Sequence, residues 1–74
     1  MHAFTKRLKF QGHERRFTIQ PTGGGWEVRE EEDHQVVKRT WMHDWHRVEN
    51  AMMRFALEST QLQRAGWVEV SNTV

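Results

Sequence analysis

The spacing of the apolar side chains changes once along the chain, and this change restricts the fold more than any other feature. Up to about residue 41, apolar and polar residues alternate, which is the pattern of strands with one buried face. From Trp45 to Leu62 the apolar residues recur every three or four positions, which is the period of a helix. The sequence therefore predicts an α+β chain in which a sheet precedes one helix.

Four alternating segments predict four strands, over about residues 4–10, 14–20, 25–31 and 35–41. Short breaks separate them: Gln11-Gly12-His13, the segment from Pro21 to Gly25, and Glu32-Asp33-His34. Breaks this short join antiparallel neighbours, because a parallel pair needs a crossover of about a dozen residues. We therefore expect an antiparallel β-meander. In the fourth strand the pair Val36-Val37 leaves the buried face ambiguous, and we assign Val37 and Trp41 to it.

The predicted helix covers about residues 44–65. Asp44 is a suitable N-cap, because its carboxylate can accept hydrogen bonds from free N–H groups of the first turn. Gly66 is a natural end, because glycine adopts the left-handed conformation without steric cost, and Trp67 can then fold back on Leu62. We expect a short extended segment after Gly66 and fraying from Ser71 to Val74.

An antiparallel sheet with one apolar face needs a cover, and the helix is the available cover. We therefore predict a two-layer ββββα domain spanning residues 1–74. Its predicted core is Phe4, Leu8, Phe10, Phe17, Ile19, Trp26, Val28, Val37, Trp41, Trp45, Val48, Met52, Phe55 and Leu62.

Composition excludes several classes of protein. The chain has no cysteine, which rules out disulfide frameworks and thiolate chemistry. Its longest apolar runs are far shorter than the roughly 20 residues of a membrane helix. The 4 Trp and 4 Phe argue against a disordered chain. With no secretory signal in Met1 to Lys6, we expect a complete small cytoplasmic protein, and its size fits a bacterial one.

The outer face of the predicted sheet carries the candidate nucleic-acid-binding residues, namely Arg7, Lys9, Arg16, Arg29 and Lys38. Cations on one face can bind phosphates and release their counterions. Glu27 and Glu31 flank Arg29, however, and cross-strand ion pairs stabilise a sheet without a ligand. The alternation also places no aromatic ring outward, and the net charge is only +1.

A protein contact is the other candidate function, through an apolar patch beside the end of the helix formed by Met53, Leu57, Trp67 and Val68. The fourth strand also exposes an edge that could pair with a second copy or with a peptide. Lys38 and Arg39 could equally be charges that prevent such pairing.

Catalytic and metal-binding signals are weak. His43, His46 and Glu49 are spaced by three residues, but this spacing lacks the full ligand set of known zinc motifs. Ser59 lies on the apolar stripe of the helix, where we expect its hydroxyl to bond to a helix carbonyl. We predict no catalytic residue, no metal and no cofactor.

The meander, the single long helix and the closing pair Gly66-Trp67 resemble the layout of WGR-type modules, which accompany some DNA-repair enzymes. The Trp-Gly-Arg triplet that names these modules is absent, and Trp26-Glu27-Val28-Arg29 does not replace it. The chain is therefore not assigned to that family. From the residues themselves we predict a non-catalytic binding or adaptor module that acts through a protein–protein contact, with nucleic-acid binding as the alternative and no membrane contact.

Overall fold

The computed structural model describes residues 4–70. Its elements are β1 (Phe4–Phe10), β2 (His13–Thr22), β3 (Gly25–Glu32), β4 (Gln35–Met42), α1 (Trp45–Arg64) and β5 (Val68–Val70). The strands form one antiparallel sheet in the order β4-β3-β2-β1-β5. The predicted α+β fold is confirmed, and the extended segment after the helix adds a fifth strand beside β1. The predicted fraying of residues 71–74 lies outside the described residues.

Two-residue turns join each pair of consecutive strands from β1 to β4. Gln11 and Gly12 have φ angles of 50° and 81°, and Asp33 and His34 have φ angles of 50° and 69°. Positive φ at both positions is typical of type I′ turns, whose twist matches that of the flanking strands. The turn between β2 and β3 is shorter than the predicted break from Pro21 to Gly25, because β2 continues to Thr22 before the chain reverses.

Both ends of α1 have the predicted caps. The Asp44 carboxylate accepts a hydrogen bond from the backbone N–H of His46 at 2.9 Å. At the other end Gly66 has a φ angle of 110°, and the N–H of Trp67 donates to the carbonyl oxygen of Leu62 at 3.0 Å. This backbone bond is one of the two that define a Schellman motif.

The core lies between the sheet and α1, which packs against β2, β3 and β4. The rings of Phe17 and Phe55 meet at its centre, with their centroids 4.8 Å apart. The buried apolar residues are Leu8, Phe17, Ile19, Val28, Met42, Val48, Ala51 and Phe55. Half-buried residues surround them, namely Phe4, Trp26, Trp45, Met52, Leu62 and Trp67.

The assignment of Val37 and Trp41 to the core was wrong. Their exposed fractions are 55% and 56%. Trp41 lies opposite Glu27, on the sheet face that points away from α1, which we call the outer face. Thr40 and Met42 face α1 instead, and Met42 is buried in the core where we had predicted Trp41.

A β-bulge explains this error. In the register between β3 and β4, Glu30 pairs with Lys38 while the next residue, Glu31, pairs with Val36. Val37 is therefore an extra residue without a partner. Because side chains alternate between the two faces, one extra residue reverses the face of every residue after it. Lys38 consequently lies on the face of the sheet that α1 covers, not on the outer face as predicted.

Candidate protein-binding edge and basic groove

Four of the five predicted nucleic-acid-binding residues lie on the outer face, and each of the four contacts a carboxylate. Glu14 is nearly buried, with 7% of its surface exposed. Its carboxylate lies 3.2 Å from Arg7, 3.8 Å from Lys9 and 3.5 Å from Arg16. Arg29 completes the set, with its Nε 2.7 Å from a carboxylate on β3.

The carboxylate that contacts Arg29 Nε belongs to Glu31. Glu27 on the same strand also contacts two arginines. Glu27 lies 3.3 Å from Arg29 and 2.8 Å from Arg39, and it accepts a hydrogen bond from the Gln20 side chain at 3.0 Å. Cross-strand pairs of this kind stabilise a sheet. Phosphate would have to displace these carboxylates, so nucleic-acid binding through this face stays a prediction.

Two carboxylates, Glu14 on β2 and Asp33 in the turn after β3, have lowered pKa values. Burial raises the pKa of Glu14, but the hydrogen bond from Arg7 and the charges of Arg7, His34 and Arg16 outweigh it, so the pKa lies below its ordinary 4.5. The pKa of Asp33 also lies below its ordinary value, chiefly because of the hydrogen bond with His13 at 3.0 Å, and also because Asp33 accepts one from the Glu14 N–H. Both groups are therefore ionised at neutral pH.

β4 is the longer edge of the sheet. It has 8 residues, whereas β5 at the opposite edge has 3. One side of its backbone has no strand partner among the described residues. Its exposed apolar side chains are Val36, Val37 and Trp41. A long edge with exposed apolar side chains is the kind of strand that pairs with another chain.

A groove of about 350 Å³ lies between β4 and α1. Alternate residues of β4 form one wall, and residues three or four apart on α1 form the other, because these spacings place side chains on one face of each element. Buried Met42 and Ala51 form the apolar floor. Polar side chains form the rim, namely Lys38, Thr40, Arg47, Asn50 and Arg54. We call this site the basic groove.

The cations of the basic groove have no carboxylate partner among the described residues. The chain has 11 Lys and Arg residues, and seven of them lie within 4.0 Å of a carboxylate. Within residues 4–70, the four without such a neighbour are Lys38, Arg47, Arg54 and Arg64. Three of these four line the basic groove.

The residues predicted to form an apolar patch do not lie together. Met53 and Leu57 are exposed on α1, whereas Val68 lies opposite Lys9 and so belongs to the outer face of the sheet. Trp67 is half-buried, with its ring centroid 5.6 Å from that of Phe10. A protein contact at any one of these positions stays a prediction, but the structure does not join the four into one surface.

Of the two histidines near the start of α1, only His46 contacts Glu49. His43 Nδ1 lies 2.8 Å from the Gly24 carbonyl oxygen, and His46 Nδ1 lies 3.5 Å from Glu49. Across residues 4–70, no group of three His, Asp or Glu side chains could hold a metal ion. The expectation for Ser59 was wrong, because its buried hydroxyl has no hydrogen-bond partner in this part of the chain.

Sequence reasoning missed Arg47, Asn50 and Arg54. Their spacing of three and four residues is visible in the sequence and places them on one stripe of α1, beside the apolar stripe. They form a site only because Lys38 and Thr40 face them, and the bulge in β4 decides that orientation.

Comparisons of the chain with models of protein families, with curated proteins and with solved structures found no match. Among the described elements, α1 is the single helix, and it is not apolar enough to cross a membrane.

Proposed function

We propose that this protein is a non-catalytic binding module that adds an extended segment of a partner protein to β4. The observation that carries the proposal is that β4 forms the long edge of the sheet and exposes Val36, Val37 and Trp41. In binding of this type, backbone hydrogen bonds supply affinity, and pockets for alternate side chains supply specificity.

The bulge limits the part of β4 that is available for regular pairing. Because Val37 is the extra residue, the uninterrupted ladder runs from Lys38 to Met42. An added strand would meet Trp41 on the outer face and Thr40 in the basic groove on the other face. Arg39 does not act as a free charge on this edge, since Glu27 holds its guanidinium at 2.8 Å.

The charge distribution favours a different protein over a second copy of this chain. No acidic residue occurs in β4, and the groove cations Lys38, Arg47 and Arg54 have no carboxylate partner among the described residues. Pairing of two β4 strands would bring two such grooves close together. Like charges in close proximity destabilise an assembly.

A titration followed by NMR amide shifts tests the proposal on the full chain. The probe is a short end-blocked peptide in which valine and threonine alternate, and we expect the shifts to be concentrated at Lys38 to Met42. The matched control is the same peptide with every backbone nitrogen methylated, which removes the N–H donors from both edges of the added strand. Equal shifts with both peptides, or shifts confined to Met53 and Leu57, would show that β4 is not the binding edge.

Nucleic-acid binding is the second candidate, and the groove is the observation in its favour. The outer-face cations already have carboxylate neighbours, whereas Lys38, Arg47 and Arg54 have none within residues 4–70. A single-stranded oligonucleotide should then shift the groove residues and leave the outer face unchanged. For either function we keep the cytoplasm as the proposed location, because a small chain without cysteine needs no oxidising compartment.

A further inference from the structure

We propose that the basic groove binds an oxyanion on a side chain of the strand that adds to β4. The oxyanion is a carboxylate or a phosphate, and the partner segment is therefore acidic or phosphorylated. This inference rests on the proposed function and specifies what the module selects.

The geometry of a sheet directs alternate side chains of an added strand toward the groove. Neighbouring strands lie about 4.8 Å apart, and directly opposite residues point to the same face. Residues placed opposite Lys38, Thr40 and Met42 would therefore project toward α1. On that side they would meet Arg47 and Arg54.

Two carboxylates that neighbour groove residues already contact another cation. Glu30 is the cross-strand partner of Lys38, and Glu58 lies one helical turn after Arg54. Arg15 contacts both carboxylates, at 3.9 Å from Glu30 and 3.2 Å from Glu58. The groove is thus left with positive charge that no carboxylate within residues 4–70 neutralises at contact distance.

The donor groups of the groove suit a planar or tetrahedral oxyanion. Guanidinium groups donate parallel hydrogen bonds to carboxylate and phosphate, and Arg47 and Arg54 supply two such groups. The Asn50 amide and the Thr40 hydroxyl add neutral donors. A water molecule takes up about 30 Å³ in the liquid, so a groove of about 350 Å³ accommodates an oxyanion with part of its hydration shell.

Three end-blocked peptides test this inference against the full chain by NMR titration. Valine alternates with glutamine in the first and with glutamate in the second, and the third carries phosphoserine in place of the central glutamate. We expect the glutamate peptide to bind about tenfold more tightly than the glutamine peptide, as charge-assisted hydrogen bonds would give. This difference should shrink at high salt, because solvent-exposed charges are screened.

Matched variants locate the charge effect. The double variant Arg47→Gln with Arg54→Gln should lose most of the preference for glutamate, because Lys38 then remains as a groove cation. Arg64→Gln is the control, since Arg64 is a cation of the same helix that lies outside the groove and has no carboxylate neighbour in the described part of the chain. This variant should keep the preference for glutamate. Loss of the preference in Arg64→Gln as well would show a general charge effect and overturn the site.

The outcomes separate the inference from the proposed function. If the glutamine peptide shifts the β4 amides and binds with the same affinity as the glutamate peptide, strand addition is supported and the oxyanion site is overturned. If N-methylated glutamate peptide still shifts the groove, the oxyanion site stands and strand addition falls. The ratio of phosphoserine to glutamate affinity identifies which oxyanion the groove prefers. Tighter binding of a single-stranded oligonucleotide than of either anionic peptide would overturn the assignment to a protein partner.

Discussion

Replacement of Phe55 by alanine should remove most of the stability of this fold. The Phe55 side chain is buried, and its ring lies 4.8 Å from that of Phe17 and 6.3 Å from that of Phe4, measured between centroids. Truncation of a buried phenylalanine costs about 3–5 kcal/mol. A single core in a chain of fewer than about 80 residues rarely supplies a free energy of unfolding of more than about 3–5 kcal/mol. Phe55→Ala should therefore be largely unfolded or close to its transition at 25 °C.

Urea denaturation followed by far-UV circular dichroism measures this change. Leu57→Ala is the matched control, since Leu57 lies two residues further along α1 and is exposed, and it should change the free energy of unfolding by less than about 0.5 kcal/mol. Phe55→Leu keeps most of the volume and should remain folded, which gives a measurable value if the alanine variant does not fold. Equal losses in Phe55→Ala and Leu57→Ala would refute the assignment of the buried face of α1.

Three further predictions test other parts of the structure. Gly66→Ala should destabilise the fold by about 1–2 kcal/mol or more, because the φ angle of 110° is costly for an L-residue and the new Cβ would lie 2.9 Å from the Phe10 ring; an unchanged melting temperature would contradict this. Ser59→Ala should leave the free energy of unfolding unchanged or raise it by up to about 1 kcal/mol, because it removes a buried hydroxyl that has no hydrogen-bond partner among the described residues. A lower melting temperature than that of the parent chain would contradict this. The pKa of Glu14 is lowered in the fold, so its ionised carboxylate stabilises the fold at pH values above the ordinary pKa of 4.5. This contribution is lost as the pH falls through the lowered pKa. Glu14→Gln should therefore show a smaller loss of stability than the parent chain between neutral and acid pH, and parallel pH curves would contradict the ion-pair cluster.

Most of the sheet and the whole of α1 could be predicted because their signals are local. Alternation identified the buried residues of β1 to β3, such as Leu8, Phe17 and Val28, and the three-to-four spacing identified Val48 and Phe55. The prediction failed where the pattern was ambiguous. Val36 and Val37 are adjacent and both apolar, so alternation could not show which of them the bulge leaves without a partner.

The candidate site was harder to predict because its parts come from separate elements. On the outer face, the carboxylate that holds Arg39 comes from the neighbouring strand, at Glu27. In the groove, Lys38 from β4 faces Arg47 and Arg54 from α1. Counting the charges predicted a nearly neutral protein, but only the pairing of those charges shows where positive charge is left over.

The sequence alone determined the class of each element and the ends of the helix, because the period of apolar residues and the capping residues act over one or two turns of chain. The tertiary structure decided which face of β4 meets α1, how β5 joins β1, and which cations keep a carboxylate neighbour. These features depend on register and on contacts between residues distant in sequence. An extra residue at Val37 reversed the orientation of Lys38 and Trp41, and so placed Lys38 in the basic groove and Trp41 on the outer face.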